Sequence, residues 1–129
     1  MSKLLLLDVT EQKLIDMVKQ VECQDLDDFY KYLKCSCFDI ARRKIGGKYY
    51  DIFVDDEGLL KEGFIVSAID SKGNAMLVGN LIFANHDAEG NTTSLSEEDI
   101  ANISNNICLC KYVDGDNVRS IRFVLTCEY

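Results

Sequence analysis

Apolar positions along this chain follow two rhythms, and the change from one to the other marks its elements. Residues 3–9 carry a run of leucines, Leu4 to Leu7, which predicts a first strand. A polar break at 10–13 follows. Residues 15–23 fit both a helix face (Leu14, Ile15, Val18, Val21) and strand alternation (Ile15, Met17, Lys19, Val21), and a strand is the expectation. Leu26, Phe29, Tyr30 and Leu33 recur at helical spacing and predict a helix over 25–34. Asp25, Asp27 and Asp28 at its start and Lys31 and Lys34 at its end suit the helix dipole. Strands at 37–45 and 48–54 are closed by Gly46-Gly47, because a two-residue hairpin turn needs positive φ at its centre. After a turn at 55–58, strands are expected at 64–69 and 75–84, then a polar loop at 85–91.

Ser96-Glu97-Glu98-Asp99 has the form of a capping box and opens a second helix to about residue 105. Strands at 107–113 and 118–129 form a terminal hairpin. In the second of these, Ile121, Phe123, Leu125, Cys127 and Tyr129 alternate with polar residues, so one face should be buried. These elements predict one α+β domain spanning 1–129: an antiparallel sheet or small open barrel, Greek-key-like, decorated with two short helices.

Composition changes this picture in two ways. The formal net charge is −8, which disfavours a long polyanion as partner, so no direct nucleic-acid binding is expected. The leucine run is too short for a signal peptide or a membrane span, so a cytoplasmic protein with no membrane partner is expected. In that compartment the six cysteines are expected as reduced thiols. Cys35-Ser36-Cys37 and Cys108-Leu109-Cys110 would make a four-thiolate metal site only if they met across a sheet. The expectation is instead small buried apolar side chains, with no metal and no cofactor.

Against the acidic background, residues 41–50 (Ala-Arg-Arg-Lys-Ile-Gly-Gly-Lys-Tyr-Tyr) hold four cations and no carboxylate. A two-residue turn at Gly46-Gly47 sets the cross-strand pairs: Ile45 with Lys48, Lys44 with Tyr49, Arg43 with Tyr50 and Arg42 with Asp51. The base of this hairpin should belong to the core and its tip should project. Such a tip can grip a phosphate and stack a base. The alternatives are a solvated tip and, for Arg42, a plain ion pair with Asp51. Candidate ligand-binding residues are Arg42, Arg43, Lys44, Lys48, Tyr49 and Tyr50. To these are added Arg119 and Arg122 as further cations, Phe83 as a further ring and Asn91 as a reader of a base edge. The chain has a single histidine, His86, and no nucleophile elbow, phosphate loop or dinucleotide fingerprint, so catalysis is not expected. No lysine or arginine occurs between Gly73 and Cys110. The acids between Asp87 and Asp99 therefore make a negative patch, either a plain solvated face or a docking surface for a basic partner.

Several segments together resemble a known family: 25–33 (Asp-Leu-Asp-Asp-Phe-Tyr-Lys-Tyr-Leu), 38–52, 55–59, Val78-Gly79-Asn80-Leu81 and 93–100. The chain resembles, over roughly residues 1–113, a domain-of-unknown-function family of small proteins of Gram-positive phages and mobile elements. The resemblance implies an accessory protein of that setting. In size and in its sheet-with-short-helices plan the chain is also similar to the Thoeris anti-defence sponge proteins. This likeness implies sequestration of a nucleotide-derived signal. The expected partner is a small phosphorylated ligand, of cyclic nucleotide or cyclic ADP-ribose type, held by a homo-oligomer. The other reading is an acidic inhibitor that binds a host protein, mimicking nucleic acid, without a small ligand.

Overall fold

The computed structural model describes residues 2–61 and 65–129, with the side chains at 2, 112–114 and 117–120 outside the described set. In chain order the elements are β1 (Ser2–Leu7), α1 (Leu14–Met17), β2 (Val18–Cys23), α2 (Leu26–Leu33), β3 (Phe38–Ile45), β4 (Lys48–Asp55), a 3-10 turn at Gly58–Leu60, β5 (Val66–Ile69), β6 (Ala75–Val78), β7 (Leu81–His86), β8 (Thr92–Thr93), α3 (Glu97–Asn105), β9 (Ile107–Asp114) and β10 (Asn117–Thr126). They form two open sheets, one of six strands ordered β2-β1-β7-β4-β3 with β8 on β7, and one of four ordered β6-β5-β10-β9. Neighbours are antiparallel except β5 and β10, which run parallel. The α+β class holds, and the sheets do not close into a barrel.

Three layers explain the continuous apolar runs. One face of the six-stranded sheet packs Leu5, Leu7, Tyr50, Ile52, Leu81 and Phe83 against Ala68, Leu77, Ile107 and Leu125 of the other sheet. The opposite face packs Leu4, Leu6, Phe53, Ile82 and Ala84 under Phe29 and Leu33 of α2. Strands covered on both sides need apolar residues at every position. Leu4 to Leu7 and Leu81 to Ala84 are accordingly all at most 2% exposed. Asp25 caps α2, its side chain accepting from the Asp28 amide. Phe29 meets Phe53 with ring centroids 4.4 Å apart.

Several expectations are corrected. Residues 15–23 are neither all strand nor all helix: α1 ends at Met17 and β2 begins at Val18, so each pattern governs its own half. This gives three helices among the described residues rather than two. Residues 75–84 are not one strand. The chain turns at Gly79, with φ +78°, and passes from β6 in one sheet to β7 in the other. Asn80 fixes that crossing: its Oδ1 accepts from the Val9 amide and its Nδ2 donates to the Tyr32 carbonyl. β7 runs on through His86, inside the expected loop. The strand expected at 64–69 begins at Val66, and residue 64 lies outside the described residues. On the last strand Leu125 and Cys127 are buried, but Ile121 and Tyr129 are exposed. Among the described residues β10 pairs with β5 at Leu125 and Thr126, and its earlier half pairs with β9.

Candidate functional site

The basic hairpin folds in the register its turn dictates. Gly46 and Gly47 have φ of +55° and +88°, and Arg42 opposes Asp51, Arg43 opposes Tyr50, Lys44 opposes Tyr49 and Ile45 opposes Lys48. Its tip does not project. It lies between α3 and the last residues of the chain. Asn102 of α3 donates from Nδ2 to the Ile45 carbonyl at 2.9 Å, and Lys44 exchanges backbone hydrogen bonds with Glu128. Alternation along the strands then splits the cations into two sets.

The set on the inner face is used by the fold. Asp99 of α3 is buried, and its Oδ1 accepts from Lys48 Nζ at 2.7 Å and from the Tyr50 hydroxyl at 2.9 Å. Its Oδ2 accepts from Asn85 Nδ2 at 2.7 Å and from the Ser96 amide and hydroxyl. Ser96 Oγ accepts in turn from the Asp99 amide, which completes the capping box. Burial pushes the Asp99 carboxyl up, but donation from Lys48, Ser96, Asn85 and Tyr50 outweighs it and holds the group well below the usual carboxylate range. Burial raises the Tyr50 phenol, and Asp99 raises the Lys48 ammonium by accepting its hydrogen bond. Arg43 lies over the Tyr129 ring, 4.8 Å from its centroid, and donates from Nη1 to the Arg42 carbonyl. Its Nε is buried with no hydrogen-bond partner among the described residues.

The outer-face set is open to solvent. Arg42, Lys44 and Tyr49 are exposed on that face of β3 and β4. Arg42 Nε donates to Asp51 Oδ1 at 3.2 Å, the ion pair weighed as its alternative role, with the Arg42 side chain 58% exposed. Asp51 opposes Ala84 on β7, so His86, two residues on, shares the face. His86 Nδ1 lies 3.2 Å from Asp51 Oδ2, close enough for an ion pair when the ring is protonated, without the alignment of a hydrogen bond. The Tyr49 hydroxyl makes a single long contact, 3.4 Å to the Tyr129 carbonyl. α2 covers the other end of this face, which leaves Arg42, Lys44 and Tyr49 as an uncovered group with the half-buried His86 beside them.

The remaining candidates fall elsewhere. Tyr50 and Phe83 are fully buried core residues, so neither ring can stack on a ligand. Asn91 is occupied by Asp87, donating to its carboxylate from both amide and side chain. Arg122 donates to the Val9 carbonyl at 2.6 Å, far along the chain from the hairpin. The Arg119 side chain lies outside the described residues. His86 was passed over because it stood in an expected loop. A longer β7 places it beside Asp51. The cysteines form no disulfide, and Cys35 and Cys37 lie on the path from α2 to β3 while Cys108 and Cys110 lie on β9 of the other sheet. No cluster of three or more metal-ligating side chains occurs among the described residues. Burial raises the Cys23 and Cys127 thiols to about 11, which keeps both protonated and inert. No helix among the described residues is long and apolar enough to cross a membrane.

A model of the domain of unknown function DUF3846 matches residues 3–107. The chain belongs to the DUF3846 family. No curated protein and no solved structure matches it. The DUF3846 match takes in every strand of the six-stranded sheet, the basic hairpin and α3 with Asp99, and it ends where β9 begins. Both faces of the hairpin therefore belong to the DUF3846 domain, while Arg122 on β10 lies beyond the match.

Proposed function

We propose that this DUF3846 protein is a non-catalytic binding protein. It captures a small phosphorylated ligand, of cyclic nucleotide or cyclic ADP-ribose type, on the uncovered end of the outer sheet face. The observation that carries this reading is the split hairpin. Arg43, Lys48 and Tyr50 are bonded or stacked on the inner face, Lys48 with its side chain half exposed, whereas Arg42, Lys44 and Tyr49 stand exposed together on the outer face of a chain of net charge −8. An exposed ion pair such as Arg42–Asp51 contributes only about 0.2–1 kcal/mol. Charge-assisted bonds to a phosphate contribute roughly 1.5–3 kcal/mol each, so a ligand can recruit Arg42 cheaply. Tyr49 offers a ring for a base, and His86 a further donor beside Asp51. His86 Nδ1 faces the Asp51 carboxylate and has no hydrogen-bond partner among the described residues, so that nitrogen activates no nucleophile. Held and not converted, the ligand is sequestered. Depletion of a nucleotide-derived signal, the role implied by the likeness to phage anti-defence proteins, is the biological role we propose.

The test is a thermal-shift screen of the purified protein against cyclic nucleotides and ADP-ribose derivatives. One class should raise the melting temperature in a saturable way and be recovered chemically intact. A screen with no saturable hit would leave the reading without a ligand and favour the other one, a basic protein partner docked on the acidic region at 87–99. In that case a captured partner should dissociate as salt rises.

A further inference from the structure

A second concave region lies at the open end of the sandwich, away from the hairpin. Two cavities of about 200 and 340 Å³ share Val9, Thr10 and Ile65. Together they are of the size that small-ligand sites occupy. The first cavity is largely apolar, with Leu33 and Ile65 in its lining, whereas the second sets Met17 and Ile121 among Glu11, Gln12 and Arg122. The polar groups at the shared mouth are fixed before any ligand arrives. Lys34 Nζ donates to Thr10 Oγ1 at 2.5 Å, and Thr10 Oγ1 donates to Asp8 Oδ1 at 2.6 Å. Lys61 pairs with Asp55 and donates to the Lys34 carbonyl at 3.2 Å, and Arg122 donates to the Val9 carbonyl.

Two features set this mouth apart. First, Lys34 is the one described non-glycine residue with positive φ, at +55°. It ends α2 in the left-handed conformation that favours glycine, yet the position carries a side chain whose ammonium reaches across to Thr10. Second, the local charge is balanced where the chain as a whole is acidic. Lys19, Lys34, Lys61 and Arg122 gather around Asp8, Glu11, Asp55 and Glu57, four cations to four carboxylates on a chain of −8. Lys13 and Asp16, farther along the same rim, cancel each other. Hydrogen bonding to Asp55 raises the Lys61 ammonium and keeps it charged.

We propose that this cleft is a binding site for a small organic monoanion with an apolar body, a short-chain or aryl carboxylate, whose carboxylate meets Lys34 and Lys61 while its body fills the apolar lining. The site is independent of the phosphate-binding face proposed above. Titration of the intact, isotope-labelled protein with hexanoate and benzoate, and with their neutral amides, tests it by two-dimensional 1H–15N spectra. The expected result is saturable movement of the Thr10, Gly79 and Asn80 amides with the carboxylates, at least about tenfold tighter than with the amides. Lys34→Gly should keep the fold, since glycine suits that backbone, and lose most of the carboxylate preference. Arg42→Glu with Lys44→Glu should leave it unchanged. Equal binding of acid and amide, or no saturable shift from either carboxylate at millimolar concentration, would overturn the proposal from the wild-type protein alone.

Discussion

Asp99 carries a negative charge into a place that water barely reaches, and five donated hydrogen bonds make that possible. An amide there would turn an NH2 group towards some of those donors. Asp99→Asn should therefore cost roughly 2–3 kcal/mol in chemical denaturation. Lys48→Met should cost about 1 kcal/mol or less, because that ammonium is half exposed and water can replace it. The pH dependence follows from the direction of the shift. Folded Asp99 holds its proton less tightly than the unfolded carboxyl, whose ordinary value is 3.8. Its contribution is complete above that value and drains away as pH falls towards the folded titration. The stability gap between wild type and Asp99→Asn should be constant above about pH 5 and narrow below about pH 4. A gap that widens on acidification would mean the carboxylate is not the stabilising form.

At the scale of elements, the hairpin and α3 act as one unit. Gly46 faces α3 so closely that a Cβ there would lie 2.1 Å from Asn102 Oδ1, whereas a Cβ on Gly47 would meet nothing within 4 Å. The Asn102 amide cannot swing aside freely, since its Nδ2 bonds both the Ile45 carbonyl and the Tyr50 hydroxyl. Both glycines have positive φ, so alanine at either should cost about 1–2 kcal/mol. Gly46→Ala should cost at least about 1 kcal/mol more for the lost contact, and equal melting temperatures for the two variants would contradict the docking of α3 on the tip. The register of this hairpin was legible in the sequence because a two-residue turn fixes every pair from Ile45–Lys48 outward. What covers each face was not, since Asp99 arrives from 49 residues beyond Tyr50 and no local pattern announces it. The break at Gly79 was hidden for a related reason: Leu77-Val78 and Leu81-Ile82 are equally apolar, and only the sheet each joins tells them apart. The uncovered group at the sheet end was half legible. Arg42, Lys44 and Tyr49 stood out by charge and ring, but His86 needed the true length of β7.

The whole molecule is an α2 layer, a six-stranded sheet and a four-stranded sheet, with the basic hairpin shared between core and surface. That division changes which substitutions should touch function. Arg43 and Lys48 are among the residues that the sequence offers for ligand binding. In the structure Lys48 is bonded to Asp99 and Arg43 is stacked on Tyr129. Charge reversal at Lys48 would set two carboxylates against each other. The most direct measurement is isothermal titration of the nucleotide found in the screen into two double variants, each also melted without ligand. Arg42→Glu with Lys44→Glu should keep the melting temperature within a few degrees and weaken binding by roughly tenfold to a hundredfold. Arg43→Glu with Lys48→Glu should lower the melting temperature by about 5 °C or more and, below that transition, bind with near wild-type affinity. If instead the first variant binds like wild type and the second does not bind at all while still folded, the ligand sits on the inner face and the account of the outer sheet face is wrong.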